Sequence, residues 1–265
     1  MKLAWATDIH LDFVTERGFE LFAGELARST AQAFLLGGDL SKAGNVEQSL
    51  LVLEERLERP IYFVLGNHDF YLGSIAGVRA QMRALSRRSK RLFWLPEAGV
   101  VSLSATTALI GHDGWGDARL GNYAGTPIEL NDFLLIDELS GLGRAARIER
   151  LRALGDEAAA HVRATLPSAL TSHREILFLT HVPPFRQACR YQGRESDDDW
   201  LPYFTCAAVG EALVELMAAH PDCQLTVLCG HTHGEGDVRL SHNLRCITGA
   251  ADYGHPRIAC LFDVG

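Results

Sequence analysis

Five short polar segments of this 265-residue chain carry residue types suited to metal chemistry. They are Thr7-Asp8-Ile9-His10, Gly38-Asp39, Gly66-Asn67-His68-Asp69, Thr180-His181 and Gly230-His231-Thr232-His233. Each directly follows a short apolar, β-rich run. Taken alone, each reads as a turn or helix cap as readily as a ligand group. Taken together, they offer carboxylate, imidazole and amide oxygen with no thiolate. That donor set suits Mn, Fe, Zn, Co or Ni better than Ca or a cysteine-type zinc site. A carboxylate between two ions about 3.5–4 Å apart would leave room for a bridging hydroxide. Binding to a metal lowers the pKa of water, to ~7 on zinc, so the implied chemistry is hydrolysis at neutral pH. The alternating histidines of His231-Thr232-His233 could serve different ions if the chain turns between them.

These segments need elements to bring them together. The runs Leu3–Ala6, Ala33–Leu36 and Ile61–Leu65 predict strands. Helices follow them, marked by Phe19, Phe22 and Leu26, by Val46, Leu50, Leu53 and Leu57, and by Ile75, Val78, Met82 and Leu85, with Ser74 as an N-cap. Such alternation implies right-handed crossovers and parallel strands. Ligands of open α/β sheets bind outside the carboxyl ends of the strands, so the five segments should converge on one crevice. After Arg91 the runs Leu92–Leu95, Val100–Leu103 and Thr107–Ile110 leave little room for helices and read as a second strand group. A glycine-rich loop from Gly111 to Gly125 precedes a long amphipathic helix over 143–166, with Ile148, Leu151, Leu154, Ala158 and Val162 on its apolar face. Strands return at Glu175–Leu179, Leu225–Leu228, Arg245–Thr248 and Ile258–Phe262, with a helix near Val209–Met217. The expected architecture is α/β, two sheets face to face with helices outside. It forms a single domain over 1–265, with a loop-plus-helix insertion at about 111–166.

The order and content of the five motifs resemble the calcineurin-like metallophosphoesterase family over nearly the whole chain. The resemblance implies a four-layer α-β-β-α sandwich with two mixed sheets. It also implies that Asp8, His10, Asp39 and His233 hold one divalent transition-metal ion. Asp39, Asn67, His181 and His231 would hold a second, with Asp39 bridging. His68 matches the family's non-ligand histidine, which contacts the phosphate and can protonate the leaving group. The implied enzyme is a dinuclear phosphoesterase that hydrolyses a small phosphate mono- or diester with a metal-bridging hydroxide. The alternative is a catalytically silent scaffold for protein binding, which should have lost ligands or His68; this chain retains all of them. One departure concerns the protein serine/threonine phosphatase branch, where the Gly-Asp motif continues into a second aspartate and an arginine. Here it reads Gly38-Asp39-Leu40-Ser41-Lys42-Ala43-Gly44. The carboxylate that would orient His68 and the arginine that would grip phosphate are both missing. The orienter of His68 is thus unassigned, with Asp69 adjacent in sequence.

The formal net charge of -8 argues against nucleic acid as a partner. Two divalent ions, less Asp8, Asp39 and a hydroxide, would still leave the pocket at about +1 and attractive to phosphate. Met1-Lys2 runs straight into the first strand without a signal peptide, and no apolar run approaches ~18 residues, so no membrane partner is expected. The six cysteines show no C-x-x-C spacing, and Cys229, Cys246 and Cys260 lie in apolar runs, which fits reduced thiols in the cytoplasm. His112, Asp113 and Trp115 sit in a glycine-flanked stretch that would serve as substrate rim or as loop framework. The polar stretch Pro183–Cys206 follows His181. Its Arg186, Arg190 and Arg194 could grip a phosphate, unless Asp197, Asp198 and Asp199 neutralise them. His161, His173, His220, His242 and His255 lack partner motifs and read as surface or loop residues.

Overall fold

The computed structural model describes residues 1–265. The first third runs β1 (Lys2–Ala6), α1 (Glu16–Arg28), β2 (Ala33–Gly37), α2 (Val46–Leu57), β3 (Ile61–Val64), α3 (Ile75–Arg88) and β4 (Leu92–Trp94). A one-turn helix α4 (Leu95–Ala98) leads into β5 (Val101–Ser102) and β6 (Thr107–His112), and a second, α5 (Asp132–Leu135), follows a long loop. Next come α6 (Arg144–Ser172), β7 (Glu175–Thr180), the hairpin of β8 (Arg190–Tyr191) and β9 (Arg194–Glu195), α7 (Leu201–Phe204) and α8 (Ala207–Ala218). The last strands are β10 (Gln224–Cys229), β11 (Gly236–Ser241), β12 (Leu244–Thr248) and β13 (Cys260–Asp263).

The first large sheet has the order β13-β1-β2-β3-β4, parallel except for β13. The second has the order β11-β12-β10-β7-β6-β5, with a parallel centre and antiparallel edges. Both sheets are therefore mixed. Leu3, Trp5, Leu35 and Val64 of the first sheet and Leu109, Leu179 and Leu228 of the second form one buried cluster between them. Helices α1 to α3 cover the outer face of the first sheet, and α6 and α8 that of the second. The result is a four-layer α-β-β-α sandwich. Strands buried on both faces must be apolar throughout, which is why β2 reads as the unbroken run Ala-Phe-Leu-Leu-Gly.

Helical spacing translates directly into burial. Val46, Leu50, Leu53 and Leu57 are the buried residues of α2, and Ile75, Val78, Met82 and Leu85 those of α3. Ser74 caps α3 by accepting the Gly77 N–H at 3.0 Å. Several expectations need correction. Leu92–Trp94 does not join a second strand group. The α3 crossover lays it parallel to β3 in the first sheet. The following Leu95-Pro96 opens a helical turn instead of extending the strand. Helix α6 continues past Pro167 to Ser172 because Leu166, Ala169 and Leu170 prolong its buried stripe. Strand β11 was not expected; Gly236, Val238 and Leu240 face the protein and alternate with exposed Asp237, Arg239 and Ser241, so no continuous apolar run marks it.

His112, Asp113 and Trp115 are 4%, 1% and 4% exposed, so this segment is framework and not substrate rim. Asp113 accepts the Leu65 N–H at 2.9 Å and the Trp94 indole N–H at 3.0 Å, and pairs with Arg79 at 3.2 Å. His161 also departs from expectation: it lies half-buried on α6, its ring centre 5.0 Å from that of His112. All six cysteines are free thiols; five are buried, but Cys260 on β13 is partly exposed. No helix is long and apolar enough to cross a membrane.

Beyond the carboxyl ends of the first sheet the backbone stays paired. The Asp8 N–H donates to Gly38 O at 3.0 Å and the His10 N–H to Asp39 O at 2.9 Å. One side chain secures the neighbouring pair of loops. Asp69 accepts the N–H groups of Leu40 and Ser41 at 2.9 Å each and that of Gly66 at 2.8 Å. This carboxylate thus ties the loop after β2 to the loop after β3. Asp69→Ala strands three buried donors, at ~1–3 kcal/mol each, and should lower unfolding free energy in urea by at least ~3 kcal/mol. Asp69→Asn keeps an acceptor for two of them and should cost about a third to a half as much. Equal, small losses for both would mean that the loops hold without the clamp.

Candidate metal centre

The five polar segments follow β1, β2, β3, β7 and β10, the strands whose carboxyl ends meet across the two sheets. The structure brings all seven candidate ligands together in two groups. In the first, His10 Nε2 lies 3.1 Å from His233 Nε2 and 3.7 Å from Asp39 Oδ2, and His233 Nε2 lies 3.4 Å from Asp8 Oδ1. In the second, His181 Nε2 lies 3.4 Å from Asp39 Oδ1, 3.3 Å from Asn67 Oδ1 and 3.1 Å from His231 Nδ1. The two oxygens of Asp39 thus face different groups.

Second contacts fix which way these rings point. The His181 Nδ1–H donates to Gly37 O at 2.9 Å, so its Nε2 faces Asn67 and Asp39. The His231 Nε2–H donates to Tyr203 O at 3.2 Å, leaving the Nδ1 lone pair inward. Asp8 is held by the Thr7 hydroxyl at 2.6 Å and by the His231 N–H at 2.9 Å. Four ligand-type atoms therefore converge in the second group: His181 Nε2, Asn67 Oδ1, Asp39 Oδ1 and His231 Nδ1. Such a cluster is repulsive unless positive charge lies among it, and a divalent cation supplies that.

The electrostatics agree. Burial pushes the pKa of His10 down to about 4 and, with help from His181, that of His231 down to about 3. Both rings are therefore neutral at pH 7, the state that ligates metal. For His181, burial opposes the charged form, but Asp39 outweighs it and raises the pKa to about 10. Two carboxylates, each 2% exposed, draw a proton onto His181 against the cost of burying it. The site's demand is for cations.

Backbone strain is concentrated at the same residues. Asp8, His10, Asp39, His231 and His233 have φ of 51°, 40°, 51°, 69° and 57°, in the left-handed region that L-residues avoid. Each such residue costs about 1–3 kcal/mol unless local contacts repay it, and such strain gathers at functional sites. Two glycines make room for the ligands: a Cβ on Gly66 would sit 2.1 Å from Asp39 Oδ1, and one on Gly230 would sit 2.0 Å from Asp8 Oδ2.

His68 stands beside the cluster and contributes its N–H to Asp39 Oδ1 at 2.9 Å. Asp69 does not orient its ring, because that carboxylate is committed to backbone N–H groups. The imidazole instead stacks on Tyr71, with ring centres 4.3 Å apart and planes at 29°, while His10 meets it edge-on at 4.6 Å. Its Nδ1 is buried without a hydrogen-bond partner. Asp132 and Tyr71 are the residues that sequence reasoning missed. Asp132 accepts from Asn67 Nδ2 at 2.8 Å and from the Tyr71 hydroxyl at 2.7 Å. In Glu-Leu-Asn-Asp-Phe, Asp132 carries no signal distinguishing it from an ordinary acid in the first turn of a helix.

A cavity of about 330 Å³ opens over the cluster, lined by Asp39, Asn67, His68, Tyr71, His231 and His233 among others. A larger one, about 1030 Å³, continues past Tyr253, Trp200 and Phe204 to the β8–β9 hairpin, where Arg194 lines it. Of the other loop arginines, Arg186 is paired with Asp198 at 2.5 Å, and Arg190 donates to Gly193 O at 2.9 Å. The acidic run thus neutralises Arg186, as one of the two sequence readings allowed.

Residues 1–235 match the sequence family described as calcineurin-like phosphoesterase. Among solved structures, a phosphopantetheinyl hydrolase from Mycobacterium tuberculosis is similar with a TM-score of 0.68 at 14% identity, over 96% of this chain and 90% of that one. A dimetal phosphatase from Danio rerio follows with a TM-score of 0.58 at 14% identity, over 94% of this chain and 87% of that one. At such identity these likenesses speak for the fold. No curated protein matches the chain. The match over residues 1–235, on a four-layer sandwich with ligand-type residues gathered at its strand ends, makes this chain a member of the metal-dependent calcineurin-like phosphoesterase family.

Proposed function

We propose that the protein hydrolyses a phosphate mono- or diester at a dinuclear centre. Asp8, His10, Asp39 and His233 would hold one ion, and Asp39, Asn67, His181 and His231 the other. The observation that carries this reading is Asp39, whose two carboxylate oxygens face separate groups of inward-pointing ligand-type atoms. Carboxylate, imidazole and amide donors without thiolate favour Mn, Fe or Zn, with Co or Ni also fitting. When bound, such ions supply an activated water and Lewis-acid stabilisation of the phosphoryl oxygens.

The chain's own residues do the rest. Neutral His10 and His231 offer lone pairs without a proton to displace. His68 lines the cavity above the cluster and would meet the ester oxygen opposite the attacked face, donating its proton as that oxygen departs. The substrate's remaining bulk would lie toward Tyr253 and Trp200 in the larger cavity. Strained backbone at five of the ligands also speaks against a silent scaffold, which would gain nothing from keeping it.

Purified protein should contain roughly two transition-metal ions per chain by elemental analysis and lose hydrolysis to a chelator, regaining it with added metal. Active protein with only trace metal would sink the two-ion reading. Asp39→Asn should impair hydrolysis and metal retention more than His10→Ala, since Asp39 faces both groups and His10 only one. Comparable mild losses would argue against a shared ligand. His68→Gln should slow alkyl phosphate esters ~10²–10⁴-fold but nitrophenyl esters far less, because nitrophenolate leaves without a proton. Metal content should stay unchanged; equal slowing of both ester classes would reduce His68 to an electrostatic contact.

A further inference from the structure

The amide of Asn67 can present either of its ends to the second ligand group, and the two ends are nearly the same shape. Only the oxygen can share a cation with His181 Nε2, 3.3 Å away, and with His231 Nδ1, which lies 3.1 Å from that nitrogen. Something must therefore select the rotamer. Asp132 is 4% exposed, and its Oδ1 accepts the Asn67 amide N–H at 2.8 Å. A carboxylate only accepts hydrogen bonds, so it can pair with the nitrogen end of the amide and not with the oxygen. The same Oδ1 accepts the Tyr71 hydroxyl at 2.7 Å, and Asn67 Nδ2 lies 3.1 Å from that hydroxyl oxygen. Tyr71 is in turn the ring on which His68 stacks.

The placement of Asp132 is itself secured. The Leu72 N–H donates to Leu135 O at 2.7 Å, and the Asp137 N–H to Gly73 O at 3.0 Å. Glu138 accepts the Ile75 and Ala76 N–H groups at 2.7 and 2.9 Å. The α5 segment is thus docked on the stretch that follows His68, far from it in sequence but joined by backbone and carboxylate contacts.

We infer that Asp132 is a positioning residue. It turns the Asn67 carboxamide oxygen toward His181 and His231 and, through Tyr71, sets the plane of the His68 ring. The inference rests on the dinuclear reading above. Partners of this kind are typically worth 10–100-fold in metal affinity.

The test is Mn²⁺ titration of chelator-stripped full-length protein, followed by calorimetry and by the spin coupling between paired ions in electron paramagnetic resonance. Asp132→Ala should keep one tight site, weaken the other ~10–100-fold and give a mononuclear spectrum. Asp132→Asn keeps an acceptor oxygen for Asn67 and should bind both ions within a few-fold of wild type. Tyr71→Phe should also retain both ions, since the Asp132–Asn67 bond survives. Folded Asp132→Ala that binds two coupled ions as tightly as wild type would overturn the inference. So would an Asp132→Asn variant as impaired as Asp132→Ala, since buried charge and not the acceptor would then be the cause. Should Asp132→Ala fail to fold, Asp132→Ser, too short to reach Asn67, is read against the same two outcomes. Wild-type protein that takes up fewer than two ions would instead refute the dinuclear reading itself.

Discussion

Asp39 sits where β2 ends, almost without solvent contact, and its two oxygens look in different directions. A buried carboxylate is costly unless its surroundings compensate, and here the compensation comes from imidazoles carried on three other strand ends. Those imidazoles lie within reach only because parallel strands from two sheets finish at the same level. The Asp69 clamp and the loop-to-loop backbone bonds then keep the ends of the first sheet in register after the strands themselves have stopped. Sheet topology gives the coarse position, the clamp gives the fine one, and the ligand atoms sit on both. His181 and His231 receive a third level of control through Gly37 O and Tyr203 O, which decide the nitrogen each ring turns inward.

Much of this was legible in the sequence because its causes are local. An apolar run ending in Gly-Asp or Gly-Asn-His-Asp states both the strand and what caps it, and apolar spacing along α2 and α3 named the buried residues outright. The parts that escaped depend on distant chain returning. Asp132 meets Asn67 from 65 positions away, so no local pattern distinguishes it from any other acid. Asp69 was legible as a neighbour of His68, but whether its carboxylate served that ring or the backbone depended on where Leu40 and Ser41 lay. For His112 and Asp113 the surrounding glycines left rim and framework both open, and the close packing of Gly111 on Leu95 and Leu179 and of Gly114 on Thr180 decides for framework. The Leu92–Trp94 strand was legible as a strand, but its sheet was decided by the handedness of the α3 crossover.

The surroundings of His68 illustrate how a fold can reach one end by different means. No carboxylate faces its Nδ1, and its ring is placed by stacking and by a backbone N–H bond to Asp39. Stacking restrains the plane of an imidazole, so the ring is oriented without a carboxylate hydrogen-bonded to that nitrogen.

The left-handed backbone at five ligand positions has a consequence for how such a chain changes over generations. Glycine adopts that conformation freely, so replacing any one of these residues by glycine would relieve strain as it removed a ligand. Selection for folding alone therefore pulls toward loss of the centre, and only selection for chemistry opposes it. A lineage released from the need to catalyse would be expected to show its first substitutions here, at the strand ends, while the apolar strands behind them stayed as they are.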